Sequence, residues 1–274
     1  MPPPPTAILV DTIASIDQCL ADISPITGAQ PSKLALDLEG VELCRSGRVS
    51  IVQIFADTSN IIWLIDVTTL GRAAFDHKDA YGQSLREVFQ NPRTKKVWLI
   101  FIRLSSPIRT SNWLLTIQLL FDVRNDADAL WNIYEIDLAN VYDLQLLDVA
   151  SRCSRQLSTK YVNGLARCIE FYVNPPKSWK EVKEEGLHLF SPLKGGSYTI
   201  FEQRPLDARI LAYCAQDVAL TFQLEAAMKR TIAIKKGKGW DERILLGSAN
   251  RVAESKSSKF YGPNGRHRAI APIF

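Results

Sequence analysis

Cysteine pairs and long uninterrupted apolar runs are what this 274-residue sequence has least of, and each shortage excludes something. Its five cysteines (Cys19, Cys44, Cys153, Cys168 and Cys214) are odd in number, scattered, and contain no Cys-x-x-Cys pair. That argues against a disulfide framework and against a zinc knuckle, and it suits a reduced, intracellular protein. The apolar stretches at 98–102 and 113–120 are separated by a polar centre containing Arg103, Pro107 and Arg109. Neither approaches the roughly 18 apolar residues of a membrane span. Residues 1–5, Met-Pro-Pro-Pro-Pro, have neither the basic start nor the apolar run of a signal peptide. The expectation is a protein of the nucleus or cytoplasm, not secreted and not in a membrane. No internal repeat is present.

The net charge of +4 hides an asymmetry. From Met228 onward eleven Lys or Arg stand against three Asp or Glu, so a slightly acidic body carries a basic end. A basic end favours a polyanion, and inside cells the commonest polyanion is nucleic acid. The alternative is a solvated, disordered terminus. If the end holds substrate, removing the residues after Arg230 should weaken binding and flatten its salt dependence.

Residues 1–6 read as a disordered proline-rich start, 7–230 as one domain, and 231–274 as a basic tail. Residues 7–10 form an apolar strand candidate. Asp11 is a plausible cap for a helix with Ile16, Cys19, Leu20 and Ile23 at helical spacing. Runs 48–55 and 61–65 alternate and are rich in β-branched residues, which predicts a hairpin. With 34–39 they make a three-stranded meander. Helical spacing recurs at 84–90, from Asp126 through Ala127, Leu130, Trp131 and Tyr134, at 144–153 and at 157–171. A short strand is expected at 140–143. Asn174, Pro175 and Pro176 break the chain before a loop with Gly195 and Gly196. The longest helix is expected at 205–230.

Stretch 34–40, Leu-Ala-Leu-Asp-Leu-Glu-Gly, organises the rest. Alternate residues of a strand share a face, so Leu34, Leu36 and Leu38 should pack inward while Asp37 and Glu39 project together from the other side. Neighbouring carboxylates repel unless a cation separates them or one is protonated. Oxygen-rich sites of this kind suit magnesium or manganese. The plainer reading is an acidic, solvated edge strand. In the long helix Tyr213 and Asp217 are four apart and stack on one side, beside a stripe of Leu211, Cys214, Val218 and Phe222 expected to face the core. Asp126 and Asp143 each open a helix, where capping is the ordinary role; for Asp143 that role is preferred.

An Asp-x-Glu on the first meander strand, an Asp at a later strand-to-helix junction and a late Tyr-x-x-x-Asp, in this order, resemble the DEDD superfamily of 3′–5′ exonucleases. The likeness is to its tyrosine-bearing, ribonuclease D-like branch. The other branch would have His where this chain has Ala212, and His77, His188 and His267 all lie elsewhere. Further stretches carry the likeness, closer still to fungal and animal exonuclease-domain-containing proteins: 35–41, 121–126, 141–146, 161–165, 194–198, 212–218 and, in the tail, 261–267. The resemblance implies a ribonuclease H-like α/β fold, a mixed sheet with an antiparallel meander beside parallel strands, flanked by helices. It implies two divalent ions, Mg2+ or Mn2+, with Asp37 bridging them, Glu39 and Asp217 completing the shell of the first ion and Asp126 holding the second directly or through water. Tyr213 would orient the attacking water. Single-stranded RNA or DNA would be degraded from the 3′ end to nucleoside 5′-monophosphates.

One departure stands out. In relatives Lys-Lys-Val runs almost directly into Phe121-Asp122-Val123, whereas here 98–120 intervene. The segment cuts a core strand instead of a loop, as a retained intron or a mispredicted exon boundary would. If it is genuine, either 98–102 or 117–123 must fill the strand position. The interruption favours a rival expectation: a catalytically impaired nucleic-acid or protein adaptor that keeps the fold. The four acids and Tyr213 favour the enzyme.

Overall fold

A computed structural model describes residues 4–25, 32–90, 116–234, 239–258 and 266–272. Six strands form one sheet in the order β1-β4-β3-β2-β5-β6. They are β1 (Thr6–Val10), β2 (Lys33–Val41), β3 (Arg48–Ala56), β4 (Ile61–Asp66), β5 (Ile117–Leu120) and β6 (Val141–Asp143). The meander β2-β3-β4 is antiparallel, while β1 joins β4, and β5 and β6 extend β2, in parallel. The expected mixed sheet is thus observed. Thr6 already pairs with Ile61, so β1 takes in one residue of the start that the sequence reads as disordered.

The helices are α1 (Ile13–Ile23), the single turns α2 (Val67–Leu70) and α3 (Ala73–Asp76), α4 (Leu85–Gln90), α5 (Arg124–Tyr134), α6 (Leu144–Ser154), α7 (Leu165–Tyr172), α8 (Lys177–Phe190), α9 (Ala208–Ala219), α10 (Thr221–Ile234) and α11 (Trp240–Ser255). Ile16, Cys19, Leu20 and Ile23 are the buried residues of α1, as their spacing predicts. Its cap is Thr12, in a reciprocal pair with Ser15, and not Asp11. A hydroxyl three residues before a second hydroxyl closes two orphan amides at once, which Asp11, one residue further out, does not do.

Period two in β2 sorts the core. Leu34, Leu36 and Leu38 pack with α1 and α5 residues such as Ile16, Leu20 and Ala127. Ala35 packs on the opposite face with Ile51, Phe55, Ile210, Cys214 and Val218. Beyond Glu39 the register slips at a bulge. A Cβ at Gly40 would stand 1.9 Å from the Arg48 carbonyl oxygen, so only glycine permits that approach.

The strand position in the interrupted region is filled by Ile117–Leu120, seated between β2 and β6; the rival run 98–102 lies outside the described residues, as do 261–265 of the tail. The helix expected at 157–171 begins only at Leu165, because Tyr161 bridges to Ile270 in an extended arrangement. Stretch 177–190, which sequence periodicity left without an element, is helical. The helix expected over 205–230 is two helices that meet at Leu220. The stretch 231–274 also contains α11, whose Ile244, Ser248, Arg251, Val252 and Ser255 are buried.

Candidate active site

The face of β2 opposite the leucines meets α9. Ile210, Cys214 and Val218 seat that helix on the sheet, and Asp207 caps its start by accepting from the Arg209 amide at 2.8 Å. The preceding loop is tied down by Arg204, whose guanidinium donates to Asp66 and to the Phe201 carbonyl. Tyr213 and Asp217 do not flank this stripe; both are buried within it. The reason lies across the gap: the sheet surface under α9 carries Asp37 and Glu39, so polar and apolar positions of α9 alternate against a sheet face that does the same.

Asp37, Glu39 and Asp217 bring one carboxylate oxygen each within 4.8 Å of one another. Asp37 and Glu39 are half-buried and Asp217 is buried, so the acidic, solvated edge strand is excluded. Burial pushes the Asp37 carboxyl up to about 7, with the Asp217 charge adding to the rise and Lys183 and the Leu38 amide opposing it. Glu39 is held well above the ordinary carboxylate range by burial, then by Asp37 and Asp217. Beside them, Gln53 pairs with Asp37 across the strands, and its buried amide has no hydrogen-bond partner among the described residues. Three hard oxygen donors converging at mutual cost are the donor set of a magnesium or manganese site, so these residues fit such an ion.

Asp126 sits in the first turn of α5, directly after β5. It does not cap that helix, whose N-cap, Val123, supplies no side-chain bond. Its oxygen is outside the tight group of three, yet burial and the Asp37 charge raise its carboxyl well above the usual range, and its own charge in turn raises Glu39. Asp143 caps α6, accepting from the Gln145 amide at 2.9 Å, and is paired with Arg251 at 2.6 Å. Capping is therefore the role the structure supports for it.

Sequence reading missed Lys183. It lies on α8, is largely buried, forms an ion pair with Asp217, and donates to the Tyr213 hydroxyl at 3.1 Å. Burial opposes its charge, but Asp217, Glu39 and Asp37 outweigh burial and raise its pKa. Tyr213 is driven the same way by burial and by Asp217, Glu39 and Asp37, so it stays a protonated phenol. The only signal for Lys183 was a lysine in a run of Lys and Glu, which is normally a solvated stretch.

Residues 115–233 match a family model described as 3′-5′ exonuclease. That segment holds Asp126, Lys183, Tyr213 and Asp217 but not Asp37 or Glu39. A search of curated proteins found no match. Among solved structures, RNase D of Trypanosoma brucei in complex with RNA U12 superposes with a TM-score of 0.67 at 17% identity, over 98% of this chain and 77% of that one. Brucella melitensis NrnC with bound Mg2+ gives 0.56 at 14%, over 94% and 98%. Escherichia coli RNase D gives 0.52 at 15%, over 92% and 51%. At these identities the likeness carries the fold alone, which is ribonuclease H-like, and the family match is confined to residues 115–233.

Proposed function

We propose that this chain is a divalent-metal-dependent 3′–5′ exonuclease that removes nucleoside 5′-monophosphates from single-stranded RNA or DNA. The observation that carries the reading is the convergence of Asp37, Glu39 and Asp217 from β2 and α9, with Tyr213 one helical turn from Asp217. Asp37, Glu39 and Asp217 would hold one ion, and Asp126 with Asp37 a second. Ions bound there supply Lewis-acid activation of water and offset charge on the leaving 3′ oxygen. The remaining work falls to side chains. Tyr213, kept protonated by burial, receives a hydrogen bond from Lys183 at its oxygen, so its own proton is free to orient a water or a phosphate oxygen. Lys183 also fixes the rotamer of Asp217. Support comes from the names of similar structures: T. brucei RNase D is described with RNA U12 and with GMP, and NrnC with Mg2+.

One observation favours a second reading. The Lys183 to Asp217 pair supplies a counter-charge from within the chain, as a binding module that keeps the fold without catalysis would. Incubating 3′- and 5′-labelled single-stranded RNA and DNA with Mn2+ or Mg2+, beside Asp37→Ala and Asp217→Ala, separates the two. The enzyme shortens 5′-labelled strands stepwise, and both variants lose this. Binding without shortening supports the module. Equal shortening by wild type and variants identifies a contaminant.

A further inference from the structure

Beyond the acid cluster, a cavity of about 500 Å³ opens between α11, α6 and the 266–272 segment. Guanidinium groups dominate its polar wall: Arg124, Arg243 and Arg251, with Asn250 beside them and Glu254 as the single acid. Behind the wall, Arg124, Arg251 and Arg268 converge on Asp122 at 2.5, 3.7 and 3.9 Å, and Arg251 reaches Asp143 at 2.6 Å. Asp122 and Asp143 are thereby neutralised by arginines, and Arg268 also feels the charge of Asp126. The buried pairs also hold the guanidiniums rigid. Arg251 is buried and spends only Nη1 on Asp143; among the described residues its Nε and Nη2 have no hydrogen-bond partner. Arg243 stacks on Trp240 at 5.2 Å from the ring centroid and has no side-chain hydrogen bond among the described residues.

Unused donors on immobilised guanidiniums are suited to an oxyanion with several acceptors, and phosphate matches the guanidinium fork best. The same lining also carries apolar surface from Leu146, Leu246 and Ile270, of which Leu246 and Ile270 are more than half exposed. A flat base has somewhere to lie. The volume falls within the range of roughly 300–1,000 Å³ usual for small-ligand sites. The cavity also adjoins the acid cluster: Arg124 precedes Asp126 by two residues, and Arg268 donates to the neighbouring Asn125 at 2.5 Å.

We propose that this arginine-lined cavity binds the phosphate of a nucleotide, with its base against Leu246 and Ile270. Choosing a nucleotide over another anion rests on the nuclease reading; the anion preference rests on the guanidiniums alone. The phosphate can come from a free mononucleotide or from a phosphodiester of a strand running past Asp126.

The test uses the full chain in EDTA, which removes ion-dependent binding at the carboxylates. Titrate it with adenosine 5′-monophosphate, inorganic phosphate and a circular single-stranded DNA, which has phosphodiesters but no ends. Arg243 is exposed, so Arg243→Gln should fold normally, and it should weaken binding about tenfold, the loss of one charge-assisted contact. Glu254→Gln should tighten it. Binding of the mononucleotide alone identifies a free nucleotide as the ligand, and binding of the circle alone identifies the strand; both carry the proposal. It is overturned if neither binds, if both variants bind like wild type, or if inorganic phosphate binds as tightly as the mononucleotide. Asp37→Ala should abolish nuclease action yet bind the mononucleotide normally in EDTA, which keeps the two readings separable.

Discussion

Gly186 of α8 lies directly against the ring of Tyr213: a Cβ built there would stand 2.2 Å from Cδ2 and 2.6 Å from Cγ. No side chain fits that gap, so the glycine sets how closely α8 and α9 approach. Phe190, one turn further along α8, meets the same ring edge-on at 5.0 Å. Alanine would gain about 1 kcal/mol of helix propensity at position 186. Overpacking would cost about 1–3 kcal/mol. Stability should therefore fall only slightly, while the Tyr213 hydroxyl is pushed off its position. Gly186→Ala is expected to lower kcat at least about tenfold, as a small misplacement in a site can, with a near-normal melting curve. A fully active Gly186→Ala would mean that the placement of Tyr213 is unimportant.

Lys183 and a divalent ion should compete for Asp217, because the ammonium already pairs with that carboxylate. Lys183→Met removes the competitor and leaves the buried acid without its partner. In EDTA the variant should be destabilised by about 3–5 kcal/mol, the usual cost of breaking a buried pair from one side. Added Mn2+ should then raise its Tm by more than it raises that of wild type. Equal Mn2+-induced shifts would show that lysine and metal do not share the site.

The difference in visibility between Asp37 and Lys183 follows from their elements. In β2 the alternation is strict, and Leu34, Leu36 and Leu38 share one core while Ala35 faces the other, so the acids could be placed on a common face from the residues alone. In α8 Trp179 and Gly186 are the most buried residues, and half of the other twelve positions are Lys or Glu. The sparse apolar spacing of Trp179, Val182, Leu189 and Phe190 is interrupted at Gly186, so the helix is easily passed over. Tyr213 and Asp217 were seen as a pair but set beside the core stripe, because hydropathy cannot show that the opposing sheet face is acidic. Trp131 fits the helical period of α5 yet is 36% exposed, with Lys256 over its ring at 5.0 Å. Charge counting made 231–274 a tail. It could not reveal that Arg251 and Arg268 are among its buried residues, spending their charge on Asp143 and Asp122 within the body. Two apolar runs competed for the β5 position, and only tertiary pairing chose Ile117–Leu120.

Stability of the ion-free protein should depend on pH in a definite direction. Burial and mutual repulsion raise Asp37 to about 7 and hold Glu39 and Asp126 above the ordinary range. A raised carboxyl binds its proton more tightly folded than unfolded, so its contribution is full below about pH 4, the unfolded value, and is lost as pH rises through the folded one. In EDTA, Tm should therefore fall between about pH 5 and 7. Asp66 and Asp122 are shifted the other way, and what they contribute is lost only at lower pH, outside this window. Divalent ions bind the deprotonated acids, so Mn2+ should flatten or reverse the slope. Asp37→Asn should reduce it in EDTA. A Tm that climbs steadily across the window without metal would contradict the clustered acids.

The segment after α10 should be required for folding. Asp143 is fully buried and accepts hydrogen bonds from the amides of Asp122 and Gln145 and from Arg251. Its own amide donates to Ser248 at 2.9 Å. Ending the chain at Arg230 removes Arg251 and Ser248 together, leaving a buried carboxylate without its ion partner at a cost of about 3–5 kcal/mol. Ile244 and Val252 are lost as well, each worth about 1.5–3 kcal/mol of burial. Against a total stability of about 5–15 kcal/mol, that removes most or all of the margin. A chain ending at Arg230 should be aggregated or lack a cooperative melt, and the weakened binding expected of a lost basic tail could not be read from it. Arg251→Met, which loses only the ion pair, should still fold and melt at a lower temperature. If the truncated protein instead melts cooperatively near the wild-type Tm, the pairing of α11 with Asp143 does not hold the fold together.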